Sequence, residues 1–171
     1  MIHRIDLLRH AKSSWDDPGL ADPERPLARR GVKATVRIRE HLRRSGFAPD
    51  LVLCSPAVRT VETLDRVRDG LPGDLRIETE DDLYAADAGY LLARLQRLPE
   101  STSSALVVGH NPGISDLALG LAKGGDEEAV ERMRRKYPTG GLATLRVDRA
   151  WRDLDWGTAT LQAFVVPKQL R

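Results

Sequence analysis

Ser103-Ser104-Ala105-Leu106-Val107-Val108-Gly109-His110-Asn111-Pro112-Gly113-Ile114 is the stretch that decides the architecture. Its centre, Ala105 to Val108, is a continuous apolar run held between two serines and a glycine. It lacks the alternation of a strand that shows one face to water, and it fits a central strand covered on both faces. The chain then turns through Gly109, His110, Asn111, Pro112 and Gly113, after which Ile114, Leu117 and Leu121 recur at helical spacing. Strand, sharp turn and helix in this order form the unit of an α/β fold.

The same unit recurs upstream. Residues 2–8 form an apolar strand that exits into Arg9 and His10, followed by a polar loop to residue 26, too long for a plain connector. A helix over 28–44 turns Ala34, Ile38 and Leu42 to the core and stops at Ser45-Gly46. Residues 50–54 read as a short buried strand, and Ser55 and Pro56 supply an N-cap and a helix-starting proline for a helix over 57–69. Ala57, Val61, Leu64 and Val67 make its inner stripe, which leaves Arg59 off the stripe near the positive N-terminus. A strand over 75–78, a loop over 81–88 and a helix carrying Leu91, Leu95 and Leu98 lead to the central strand, with Asp87 at the N-cap.

Downstream lie a loop over 123–126, a helix over 127–136 and strands over 142–147 and 158–166 that pair as a hairpin. The expected fold is a three-layer α/β sandwich with a mostly parallel sheet and helices on both faces, in one domain spanning residues 1–171.

With 171 residues and 41% hydrophobic composition, the chain can bury a core without staples, and one cysteine makes no internal disulfide. The 27 Lys and Arg nearly balance 25 Asp and Glu, so the net charge of +2 does not announce nucleic acid. Charge interrupts the first apolar stretch and no run reaches transmembrane length. Neither a membrane nor a nucleic-acid partner is therefore expected, and the default compartment is a reducing cytoplasm. His3 and His41 share no metal-ligand spacing with His10 or His110, so neither metal nor cofactor is expected. Cys54 is read as a buried structural thiol, and the arginines and lysine between residues 29 and 44 as a solvated face.

Three strand exits carry the candidate chemistry: Arg9 and His10 after the first, Arg59 after the second, His110 after the central one. Open α/β sheets bind ligands at this edge. Two guanidiniums and two imidazoles brought to one spot repel one another unless an anion joins them, and phosphate suits arginine geometry through bidentate, charge-assisted bonds.

LLRHAKSSW (7–15), LVLCSPAVRTVETL (51–64) and LVVGHNPGISDL (106–117), in that order, resemble the histidine phosphatase superfamily. The short chain and the RPLARRG segment (25–31) look most like bacterial phosphohistidine phosphatases of the SixA type. The resemblance implies that His10 attacks phosphorus and is transiently phosphorylated, that Arg9, Arg59 and His110 hold the equatorial oxygens, and that water then hydrolyses the intermediate. That division of labour fits phosphoryl transfer, which needs an in-line nucleophile and positive groups where charge spreads. Neighbouring arginines are expected to keep His10 neutral, with a backbone carbonyl fixing its tautomer.

Two positions depart from the family pattern. Ala11 stands where many relatives have glycine, which asks for an ordinary backbone there. In DLYAAD (82–87), Ala85 stands where ester-cleaving relatives carry a glutamate acid. An alkoxide leaving group normally needs such an acid, worth about a hundredfold to ten-thousandfold, whereas a phosphohistidine ring protonated on its other nitrogen departs neutral. The 50 residues from 60 to 109 leave little room for a lid. Both features favour a protein phosphohistidine substrate. The rivals are a small phosphate-ester phosphatase acting on a sugar or nucleotide phosphate, with Asp87 as substitute acid, and a non-catalytic phosphate-recognition module. Asp87 is read as a helix cap before an acid. Lys12, Ser13, Arg25 and Asn111 are candidates for the pocket rim, and Asp22 is placed to pair Arg25.

Overall fold

Strand β4 (Ser104–Gly109) lies between β1 (His3–Arg9) and β2 (Leu51–Cys54) in the computed structural model, which describes residues 1–170. Both neighbours run parallel to it, pairing Leu8 and Cys54 with Val108. Side chains alternate between the two faces. Ala105 and Val107 join Ile5, Leu7, Leu51 and Leu53 in one apolar cluster, while Leu106 and Val108 join Leu8, Val52 and Cys54 in the other. This explains the unbroken apolar run, since both faces of the strand are interior.

Helices α1 (Arg29–Ser45) and α2 (Val58–Val67) cover the second cluster with Ile38, Leu42, Leu64 and Val67. The first is covered by α3 (Ala88–Gln96), α4 (Gly113–Leu121) and α5 (Glu127–Arg135). With β3 (Ile77–Thr79), β5 (Ala122–Gly125), β6 (Leu142–Val147) and β7 (Ala159–Val165), the sheet order is β3-β2-β4-β1-β6-β7-β5. Only β6 runs against the rest, antiparallel to both β1 and β7. The result is a three-layer α/β arrangement with a mostly parallel sheet, as read from the sequence. Among the described residues, no helix is long and apolar enough to cross a membrane.

Several local expectations change. Residues 123–126, read as a loop, contain most of β5, an edge strand paired parallel to β7. Lys-Gly-Gly carries no strand signal. Here the glycines allow the approach: Gly125 has φ +106, and a Cβ there would lie 2.2 Å from the Leu161 carbonyl oxygen. The inner face of α2 includes Thr60 and Thr63, both fully buried, while Val61 is only half-buried. The threonine hydroxyls donate to the Ser55 and Arg59 carbonyls, so polar residues sit inside without unmet bonds. On α1 the inner residues are Gly31, Thr35, Ile38 and Leu42, with Ala34 half-buried. Gly31 lets the helix rest on the loop after β1: a Cβ would meet the Lys12 carbonyl oxygen at 2.1 Å.

Candidate active site

Register builds the site. Arg9 pairs with Gly109 across β1 and β4, so His10 and His110 leave adjacent strands at the same edge. Cys54 pairs with Val108, which sets Ser55 beside that exit. The His10 and His110 ring centroids are 5.3 Å apart, tilted by 55°. Arg59, on the first turn of α2, reaches the same place and is 7% exposed, covered by the loop after β1 rather than by the core. Arg9, His10, Arg59 and His110 are thus brought together.

His10 is 6% exposed, and its Nδ1–H donates to the Ala11 carbonyl at 2.7 Å. This bond directs the Nε2 lone pair away from the backbone. Burial pushes the imidazole down from 6.5 to about 3; the Ala11 bond opposes this, and His110, Arg59 and Arg9 add to the lowering. The ring is neutral as expected, though burial outweighs the repulsion from the arginines. Ala11 itself has ordinary backbone, with its N–H donating to Thr63 Oγ1 at 3.0 Å.

His110 is lowered to about 4, first by burial and then by Arg59, with Asp22 opposing and Arg9 adding. Its Nε2 lies 2.7 Å from Ser55 Oγ. Ser55 is therefore not the helix cap expected from its place before Pro56. The residue at the N-cap is Ala57, and Ser55 Oγ accepts from the Ala57 N–H only at 3.4 Å. Arg9 donates from Nη1 to the Tyr137 carbonyl at 2.9 Å, and burial lowers its pKa, with Arg59 adding. Arg9 Nε, Arg59 Nε and His110 Nδ1 are buried without a hydrogen-bond partner among the described residues. Two guanidinium donors and a ring nitrogen left over at one edge suit a tetrahedral oxyanion.

The remaining candidates separate. Asp87 caps α3, its carboxylate accepting from the Tyr90 N–H at 2.8 Å. Asn111 donates to the Tyr137 carbonyl and accepts from the Ser115 N–H, securing the turn. The Lys12 side chain is exposed, whereas Ser13 is buried and accepts from Arg25 Nη1 at 2.8 Å. Cys54 is buried, and its thiol is pushed up to about 12 by burial and by Asp65, with a Thr60 bond opposing, so it is no nucleophile.

Two residues at the mouth escaped the sequence reading. Tyr84 meets His110 edge-on at 5.6 Å and lies over Arg59 at 6.0 Å. Asp22, expected to pair Arg25, also binds Arg59 at 3.0 Å and accepts from the Tyr84 hydroxyl. The Tyr84 bond leads in holding its carboxyl at about 2; burial opposes, and Arg59 and Arg25 add. The i, i+3 spacing of Asp22 and Arg25 was the one visible signal. An open groove of about 520 Å³, lined by Asp81, Asp82, Tyr84, Ala85, Asp87 and Tyr90, continues from the mouth.

A mostly parallel α/β sandwich with basic groups at one sheet edge defines a class of phosphate-handling enzymes, and the comparisons name the family. Residues 5–92 match the histidine phosphatase superfamily (branch 1), and the chain belongs to that superfamily. It is 40% identical to an uncharacterized protein of Mycobacterium tuberculosis (strain ATCC 25618 / H37Rv) over 163 residues, 94% of this chain and 100% of that one. A SixA chain of Nakamurella multipartitia, assigned provisionally as a phosphohistidine phosphatase, superposes with TM-score 0.84 and 29% identity over 98% of this chain and 97% of its own. The protein histidine phosphatase SixA complexed with tungstate gives TM-score 0.77 and 25% identity over 97% and 98%. The protein is a phosphatase, a hydrolase acting on a phosphorylated substrate.

Proposed function

We propose that the protein removes phosphoryl groups from phosphohistidine carried on proteins, passing them through His10. In the first step a bond forms between His10 Nε2 and phosphorus as the substrate's P–N bond breaks, and the electron pair leaves with the imidazole. That ring already holds a proton on its other nitrogen and departs neutral. In the second step water attacks phospho-His10, its proton passes to phosphate, and His10 again leaves as a neutral ring with Nδ1–H on the Ala11 carbonyl. Arg9, Arg59 and His110 hold the phosphoryl oxygens. With the Ser55 hydroxyl donating to His110 Nε2, the Nδ1–H of that ring is the free donor.

One observation carries the choice of substrate: the place expected for a general acid holds no carboxyl group, and the two carboxylates next considered for the role are engaged elsewhere. The place expected for the acid holds Ala85, Asp87 is occupied as a cap, and Asp22 is held ionised by Tyr84, Arg59 and Arg25. The open groove beside the site supports a macromolecular substrate. The SixA protein of known structure binds tungstate, an oxyanion of phosphate-like shape, which supports a phosphoryl site here.

The test is turnover on a phosphohistidine-bearing protein against sugar and nucleotide phosphates. We expect kcat/KM at least about 100-fold higher on the phosphoramidate, and an acid-labile, base-stable phosphate on His10 in quenched turnover. Equal or better hydrolysis of the esters overturns the substrate; absence of the adduct with full activity in His10→Ala overturns the mechanism.

A further inference from the structure

The guanidinium of Arg59 is held by a residue far from it in sequence. Nη1 donates to the Asp22 main-chain carbonyl at 2.9 Å, and Nη2 to Asp22 Oδ2 at 3.0 Å. Oδ2 also accepts from the Tyr84 hydroxyl, and Oδ1 accepts from Arg25 Nε at 3.2 Å and Nη2 at 3.1 Å. Arg25 is itself fixed: 7% exposed, it donates to Ser13 Oγ and the Ser14 carbonyl and lies 3.5 Å from the Trp15 ring centroid. The carboxylate thus accepts two bonds on each oxygen, enough to fill its lone pairs. It can neither donate a proton nor take a further partner without breaking this set.

We propose that Asp22 is a positioning residue for phosphoryl transfer, pinning one edge of the Arg59 guanidinium so that its buried Nε–H is presented to a phosphoryl oxygen. The proposal rests on the reading of Arg59 given under Proposed function. Arg59 sits beside Arg9 and two imidazoles, with only Asp22 and the Tyr84 ring against its guanidinium among the described residues, and a long cationic side chain in such company turns toward water unless something holds it. Asp22 supplies that hold from the loop after β1, through main chain and side chain together. Its charge, however, stands next to an anion site and offsets part of Arg59's attraction for the incoming phosphate. Removing the carboxylate therefore does not weaken binding of the ground state. What it removes is the alignment needed as charge develops on the equatorial oxygens.

The prediction is a split between kcat and KM. Asp22→Ala is expected to lower kcat about 10- to 100-fold without raising KM, on whichever phosphorylated substrate gives the best turnover. Asp22→Asn, which keeps the shape, the main-chain carbonyl and one side-chain acceptor, is expected to recover part of that loss and guards against a disordered loop. In an Arg59→Ala background, assayed at stoichiometric enzyme, Asp22→Ala should cost less than about 2-fold because there is nothing left to align. The idea is overturned by kcat within about 2-fold of native in Asp22→Ala, by a raised KM with intact kcat, or by an equal loss in both backgrounds. If Arg59→Ala itself leaves hydrolysis unchanged, the reading of the site fails, and Asp22 falls with it; intact dependence on Arg59 with no dependence on Asp22 sinks this proposal alone.

Discussion

A buried histidine stands at each end of the first strand, and the two environments are opposite. His3 opens β1, is 2% exposed, stacks on Trp151 with centroids 4.3 Å apart, and has Nε2 on the Glu100 carboxylate at 2.8 Å. The other oxygen of Glu100 accepts from the Trp151 N–H, so the group brackets three segments together. His10, just beyond the far end of β1, touches no carboxylate among the described residues. Its ring nitrogen meets a main-chain carbonyl, and its charged neighbours are all cations. Burial alone thus says little about what an imidazole does. A carboxylate partner engages the His3 ring in structure, whereas the His10 ring, kept neutral chiefly by burial and then by neighbouring cations, retains a free lone pair.

The comparison is broken most sharply by removing each ring in turn. His10→Ala is expected to lower kcat about 10⁴-fold or more, as loss of a nucleophile does, with little change in melting temperature. His3→Ala should keep kcat within about 2-fold, but lose about 2 to 4 kcal/mol of stability in a urea titration through the lost stack and charged hydrogen bond. Loss of activity in both would erase the distinction. Next in size, Arg59→Ala should reduce kcat about 10²- to 10³-fold, the effect of deleting one oxyanion donor, measured on the same substrate.

The acid side of the pH profile sharpens the comparison. His10 and His110 lie at about 3 and about 4, below their ordinary 6.5, so the unfolded chain binds more protons than the folded one across that window. Stability should be full above pH 6.5 and fall as the pH drops toward 3. His10→Gln with His110→Gln should flatten that slope in melting experiments, and an unchanged slope would count against the burial assigned to these rings. The smallest effect belongs to Asp87→Ala, which should cost about 1 kcal/mol as a lost cap and leave turnover intact. Selective loss of ester hydrolysis there would revive Asp87 as an acid.

The layered fold was legible because apolar periodicity reports burial directly: the run 105–108 and the repeats along each helix needed no tertiary knowledge. Strand exits then located Arg9, His10, Arg59 and His110. What escaped were contacts between distant segments. Ser55 beside Pro56 has the local look of a cap, and only the pairing of β2 with β4 turns it toward His110. Asp22 announces Arg25 three residues on, but nothing local announces Arg59 or Tyr84. β5 was missed because glycine serves there as clearance for a neighbouring backbone, a purpose that leaves no side-chain pattern.

Three of the site's acceptors belong to the main chain: the Ala11 carbonyl beneath His10, the Asp22 carbonyl that receives Arg59, and the Tyr137 carbonyl that receives both Arg9 and Asn111. No point substitution deletes a peptide oxygen. Aim at these places is inherited from the path of the chain, so an insertion near residue 137 would shift an oxygen that two side chains share.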